Sequence, residues 1–126
     1  MILTSNLGYP RIGLNRELKF AQEKYWKNAI TRDELKQTAD RIQTANWIVQ
    51  KDMGLDFIPS NDFSFYDQVL DTTFMVGAIP DRFRDVEELK DLDLYFAMAR
   101  GWHNGHGKKI AAMEMTKWFN TNYHYL

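Results

Sequence analysis

Two short apolar runs, ILTSNL and LDFIP, are each followed by a turn signal and then by two stretches of helical periodicity. This alternation limits the possible folds more than any other feature. Strands that alternate with helices are joined by crossovers, and right-handed crossovers lay successive strands side by side in the parallel sense. The expected order is strand, two helices, strand, two helices, strand, the last opening at NYHYL. Two complete crossovers close no barrel and make a poor open sheet, so the pattern reads as part of something larger.

Local signals set the expected boundaries. Asn15 can cap a helix running to about Asn28, with Leu18, Ala21 and Tyr25 on one face. Thr31 with Glu34 three residues on is a capping box. The helix it opens carries Leu35, Ala39, Ile42, Val49 and Met53 at helical spacing, and Gly54 stops it. LDFIP, between Gly54 and Pro59, has the signature of a buried strand. Ser64 and Asp67 open a further helix to about Val76, ended by Gly77 and Pro80. Asp85 and Glu88 box the start of a helical region that reaches Arg100 and stops at Gly101. WHNGHGKK is a glycine-rich loop. The remainder, IAAMEMTKWFNTNYHYL, could begin helical before its strand-like end.

Composition narrows the partners. With 126 residues, 44% hydrophobic and 26% charged, the chain is one domain at most and can bury a sizeable core. A formal net charge of −1 draws it to neither nucleic acid nor anionic lipid, so any anion site is local. The chain has no cysteine, which excludes disulfides, a thiolate nucleophile and sulfur-ligated metal within it. No apolar run approaches the ~20 residues of a membrane span, and the N-terminus lacks a basic signal-peptide region, so a cytoplasmic location is expected. Aromatic residues make up 14%, as core packing or as the wall of a pocket for a flat ligand.

In α/β folds, ligands sit on loops at the C-terminal ends of strands. The first such loop, GYPRIGLNRELK, gathers Arg11, Arg16 and Lys19 around a helix start that already carries partial positive charge. Arg16 and Lys19, three apart, could grip a carboxylate or phosphate there. The competing reading is a solvated turn in which Lys19 pairs with Glu23. In the second loop, Asn61 and Asp62 stand at a pocket rim or serve as turn residues. His103 and His106 form an H-x-x-H without a third metal ligand nearby, and His124 reads as a strand-end or core histidine.

LGYPRIGLNRELKFAQEKYW, GLDFIPSNDFSFYDQVLD and EMTKWFNTNYHYL together closely resemble the cobalamin-independent methionine synthases, in order from Leu7 to Leu126. R-x-G-x-x-R-E-L-K and E-M-T-K-W-F-x-T-N-Y-H-Y are the specific strings, and the clearest departure is the loop GWHNGHGKKI. The resemblance implies two face-to-face (β/α)8 barrels in a protein several times longer. Residues 1–126 would then be the opening part of the N-terminal barrel, a fragment of a TIM-type barrel. It implies transfer of the N5 methyl of 5-methyltetrahydropteroyl-polyglutamate to homocysteine, forming methionine without cobalamin. Homocysteine and a zinc ion with Cys and His ligands would belong to the C-terminal barrel, so no catalytic or metal residue is expected here. By the same resemblance, the folate's polyglutamate tail is held by Arg16, Glu17, Leu18 and Lys19, joined by Lys117. Glu17, a carboxylate facing a polyanion, would contribute a backbone N–H or stabilise the helix start. Two other classes remain open: a free-standing, non-catalytic anion- or polyglutamate-binding module, and a structural half-barrel that assembles with copies of itself. A truncated barrel has bare strand edges, so self-association of the isolated chain is expected.

Overall fold

Thr31 and Glu34 close the start of the longest helix reciprocally. The Thr31 hydroxyl accepts from the Glu34 backbone N–H, and the Glu34 carboxylate accepts from the Thr31 N–H at 2.7 Å. The computed structural model describes residues 1–117, 119–121 and 123–125 of the chain. These fall into two compact units, Met1–Phe65 and Tyr66–Leu126.

In the first unit, helix α1 (Glu17–Trp26) packs against α2 (Arg32–Asp52). Leu18 and Leu35 are fully buried, with Ala21, Ala39 and Ile42 beside them in the core. Burying a leucine stabilises by roughly 1.5–3 kcal/mol, so this small set dominates the pair's cohesion. Gly54 follows the C-cap Met53, as the sequence indicates. The apolar stripe, however, stops short. Val49 and Met53 are 40% and 82% exposed, and Gln50 takes the inward position. Its buried amide is satisfied at both ends, accepting from Asn6 Nδ2 at 2.8 Å and donating to the Asn46 carbonyl.

The two extended runs of this unit meet in the expected parallel sense, but at a single bridge, Ser5 to Phe57. LDFIP is not buried as expected, since Phe57 is 58% exposed. The pairing stops at one bridge where side chains compete for the neighbouring backbone groups. The Thr4 N–H goes to the Asp56 carboxylate at 2.8 Å, and the Asp56 N–H goes to the Thr4 hydroxyl at 3.1 Å.

The second unit opens with helix α3 (Gln68–Met75), capped by Asp67, whose carboxylate accepts from the Leu70 N–H. Short α4 (Asp81–Arg84) and α5 (Leu92–Arg100) follow, and Gly101 ends the latter. No capping box forms at Asp85 and Glu88, because Asp85 is the C-cap of α4. Phe83, Val86 and Leu89, three residues apart, are all buried, and the Phe83 and Leu89 N–H groups reach back three residues to the Pro80 and Val86 carbonyls. The aromatic residues here mostly pack on one another, edge to face, in the pairs Phe74–Tyr95, Tyr95–Phe96 and Tyr66–Tyr125.

The named strands are antiparallel, where the sequence suggested parallel ones. β1 (Trp102–His103) pairs β2 (Lys109–Ile110), and β3 (Met115–Lys117) pairs β4 (Tyr123–Tyr125). WHNGHGKK is therefore a hairpin rather than a plain loop. The Asn104 carboxamide closes its tip by accepting from the His106 and Lys108 N–H groups. β4 falls within the run expected to open a strand, while Trp118, Asn122 and Leu126 lie outside the described residues. The chain is thus mixed α/β. Among the described residues, no helix is long and apolar enough to cross a membrane.

Candidate anion-binding helix start

Helix α1 begins one residue later than Asn15 would place it, and without a conventional cap. Its N-cap is Arg16, held left-handed at φ 61° and making no side-chain cap. A non-glycine residue in that region is uncommon and carries strain of order 1–3 kcal/mol. Glu17 does the capping. Its carboxylate accepts from the Asn15 N–H at 3.0 Å, and Asn15 Nδ2 approaches its other oxygen at 3.5 Å. Its own backbone N–H, first, and that of Asn15 hold the Glu17 carboxyl below the usual carboxylate range. Gly13, at φ +87°, makes room for this fold-back, because a Cβ there would collide with the Glu17 carboxylate. Of the two roles open to Glu17, helix-start stabilisation is what the structure shows.

Leu18 is fully buried, so it can offer a ligand nothing but backbone, and its N–H already donates to the Ile12 carbonyl at 3.1 Å. Arg16 is exposed, and its guanidinium makes no hydrogen bond or ion pair among the described residues. Lys19 does pair with Glu23, at 3.7 Å and with side chains 48% and 41% exposed. Such an i,i+4 pair is worth only about 0.3–0.5 kcal/mol, and Lys ahead of Glu is the weaker order. Lys19 can therefore leave Glu23 for a stronger anion. Arg11 does not join the exposed cations, because its Nη1 donates to the Phe65 carbonyl at 3.1 Å, which also accepts from Gln22 Nε2.

The two loops expected to carry ligands come together within this unit. Asp62 accepts from the Tyr9 N–H at 2.8 Å, and Asn46 Nδ2 donates to the Pro10 carbonyl. Asp62 thus acts as a loop clasp. Beside the loop opens a cleft of about 520 Å³, lined by Tyr9, Leu14, Glu17, Arg41 and Asn46 among others. That volume is in the range of small-molecule sites.

Lys117 lies at the end of β3 in the second unit, exposed and without an ion pair among the described residues. His103 and His106 are exposed, and no three His, Cys, Asp or Glu side chains converge on a possible metal position among the described residues. The sequence contains no cysteine that could supply a thiolate ligand to zinc.

Sequence reasoning missed one contact. His124 Nδ1 lies 2.6 Å from Asp67 Oδ1, with side chains 15% and 9% exposed. Asp67 was legible as a helix cap, but no local signal connects it to a histidine 57 positions away.

Residues 3–126 match the family described as "Cobalamin-independent synthase, N-terminal domain". The chain belongs to the cobalamin-independent methionine synthase family. It is 61% identical, over 99% of its length, to the 5-methyltetrahydropteroyltriglutamate–homocysteine methyltransferase of Cytophaga hutchinsonii. To the proteins of the same name from Flavobacterium johnsoniae and Salinibacter ruber it is 59% and 55% identical, over 98% and 100% of the chain. The chain spans 16–17% of the length of these methionine synthase relatives.

Proposed function

We propose that residues 1–126 are the opening part of the N-terminal (β/α)8 barrel of a methyltransferase. That enzyme moves the methyl group of 5-methyltetrahydropteroyl-polyglutamate to homocysteine, and this segment holds the folate's polyglutamate tail. The observation that carries the reading is the start of α1, where Arg16 is strained, exposed and without an ion pair among the described residues while Lys19 is only weakly held. A chain of γ-linked glutamates is a polyanion, and cations at a helix N-terminus have little to gain from the fold itself. A tail carboxylate would relieve both cations. Lys117, exposed in its own unit, offers a further cation to the same substrate. Glu17 organises the turn, and Leu18 anchors it in the core. Homocysteine and its activating zinc would be held elsewhere in the enzyme.

The test is steady-state kinetics of Arg16→Ala, Lys19→Ala and Lys117→Ala in the full-length enzyme. Each should lose about two- to tenfold in kcat/KM on polyglutamylated folate, at ~1.4 kcal/mol per decade, mostly through KM. Monoglutamyl folate should show a smaller loss. Equal losses on both substrates would return the helix start to a solvated turn.

A further inference from the structure

We propose that Asp67 and His124 are positioning residues that fix the β3–β4 hairpin and so set where Lys117 presents its ammonium group to the polyglutamate tail. The proposal rests on the tail reading above. Its starting point is the carboxylate of Asp67, which is used from both sides. One oxygen meets His124 Nδ1 at 2.6 Å, and the other accepts from the N–H groups of Leu70 at 3.0 Å and Tyr125 at 3.3 Å. The cap of α3 is thereby tied to β4 at two successive residues, once through a side chain and once through the backbone. The segment leading into the cap is held in turn. The Tyr95 hydroxyl accepts from the Tyr66 N–H at 3.0 Å and from the Asp67 N–H at 3.2 Å.

The hairpin needs such an anchor. Its strands are three residues each, and an isolated two-stranded hairpin is marginal in water. A slip of one residue would carry every side chain of a strand to the opposite face. The observed register sets Thr116 opposite His124 and Lys117 opposite Tyr123. Neighbours along a strand alternate faces, so drawing His124 onto Asp67 sets Tyr123, 60% exposed, and its partner Lys117 on the face opposite His124. Tyr125, on the same face as Tyr123 but at the far end of the strand from Lys117, adds a second anchor, packing edge to face on Tyr66 at 5.4 Å between ring centroids. Both Asp67 oxygens are engaged, so the pair suits holding the strand rather than passing a proton to a ligand. A histidine can donate from Nδ1 in its charged form and in one neutral tautomer, so the anchor does not depend on charge.

The experiment compares His124→Asn, His124→Gln and His124→Leu in the full-length enzyme, each with Lys117 intact and with Lys117→Ala. The readout is KM and kcat on polyglutamylated methyltetrahydrofolate. An Asn amide N–H stands near the position of Nδ1, whereas a Gln amide reaches toward Nε2. With Lys117 present, His124→Asn should stay within about twofold of wild type. His124→Gln and His124→Leu should raise KM about two- to fivefold, with kcat little changed. In the Lys117→Ala background the three variants should become equivalent, because the residue they position is gone. The same KM penalty in both backgrounds, or a loss confined to kcat, would overturn the inference. If Lys117→Ala alone raised KM while the His124 variants did nothing, this inference would fail and the tail reading would stand. If Lys117→Ala left KM unchanged, this inference would fall together with Lys117's part in the tail reading, and Arg16→Ala and Lys19→Ala would decide the rest. Should His124→Leu not fold, the Asn–Gln contrast decides.

Discussion

The Asp62 carboxylate and the Tyr9 backbone N–H, 53 residues apart in sequence, meet at 2.8 Å and join the loops that follow the two extended runs of the first unit. The bond is charge-assisted and partly buried, the kind worth about 1.5–3 kcal/mol at most and less where water competes. Asp62→Ala should therefore lower stability by about 1–2 kcal/mol, seen as a lower urea midpoint at unchanged slope. Asp62→Asn keeps an acceptor in place and should recover most of the loss. An Asp62→Ala midpoint equal to wild type would show that the loops are held by other contacts.

The reciprocal cap at Thr31 and Glu34 gives a prediction with a pH signature. Thr31→Ala should destabilise α2 by about 1 kcal/mol at neutral pH. The Thr31 N–H, and then its hydroxyl, hold the Glu34 carboxyl below its ordinary value of 4.5. A carboxyl lowered in the folded state stabilises above its ordinary pKa, and that contribution fades as pH falls through 4.5 toward the lower folded value. The gap between wild type and Thr31→Ala should thus narrow in acid. Denaturation midpoints measured from neutral pH down through that range would check it, and a constant gap would show that the hydroxyl stabilises only by accepting from the Glu34 N–H and not through the Glu34 carboxylate. Asp56, held low by the Thr4 N–H and hydroxyl, should lose its contribution in the same sense below about its ordinary 3.8.

Gly101 and Gly105 separate backbone strain from steric contact. Both have positive φ, +77° and +75°, but a Cβ at Gly101 would lie 2.8 Å from the Ile110 carbonyl oxygen, whereas one at Gly105 meets nothing within 4 Å. Gly105→Ala should cost only the conformational penalty, about 1 kcal/mol. Gly101→Ala adds a backbone clash where α5 turns into the β1–β2 hairpin, and its loss should be larger, about 2–3 kcal/mol. Thermal midpoints of the two variants would decide, and equal shifts would mean that the hairpin moves aside at little cost.

Local chemistry made much of the fold legible. The Thr31–Glu34 box, the Gly54 stop, the Asp67 cap and the Gly101 terminus all depend on residues within a few positions of one another. Features that failed to show in the sequence are those decided by distant partners. Thr4 and Asp56 divert donors from a parallel ladder, and Gln50 turns inward because Asn6 meets its amide. The β1–β2 hairpin hides in a glycine-rich run because Asn104, not an apolar alternation, organises its tip. At the candidate site, specific strings named Arg16, Glu17, Leu18, Lys19 and Lys117, but nothing in them said that Glu17 folds back as the cap or that Arg16 would be left-handed. Those facts depend on Gly13 and Asn15 in three dimensions.

Lys19 and Glu23 offer the sharpest test of how the tail would be held. The pair is weak, so a tail carboxylate can displace Glu23, but the displaced carboxylate stays within a Debye length of about 8 Å. Lys19→Ala removes the cation and leaves Glu23 uncompensated, so it should raise KM for polyglutamylated folate more than Arg16→Ala does. The double variant Lys19→Ala with Glu23→Ala should recover part of that excess, because it removes the repulsion without restoring the attraction. Added salt should compress all three differences, since screening weakens attraction and repulsion alike. The losses should fall within about two- to tenfold at low ionic strength and shrink toward the wild-type KM as salt rises. If Lys19→Ala and the double variant gave the same KM at low salt, Glu23 would exert no field on the tail, and the tail would have to pass α1 on the side away from that carboxylate.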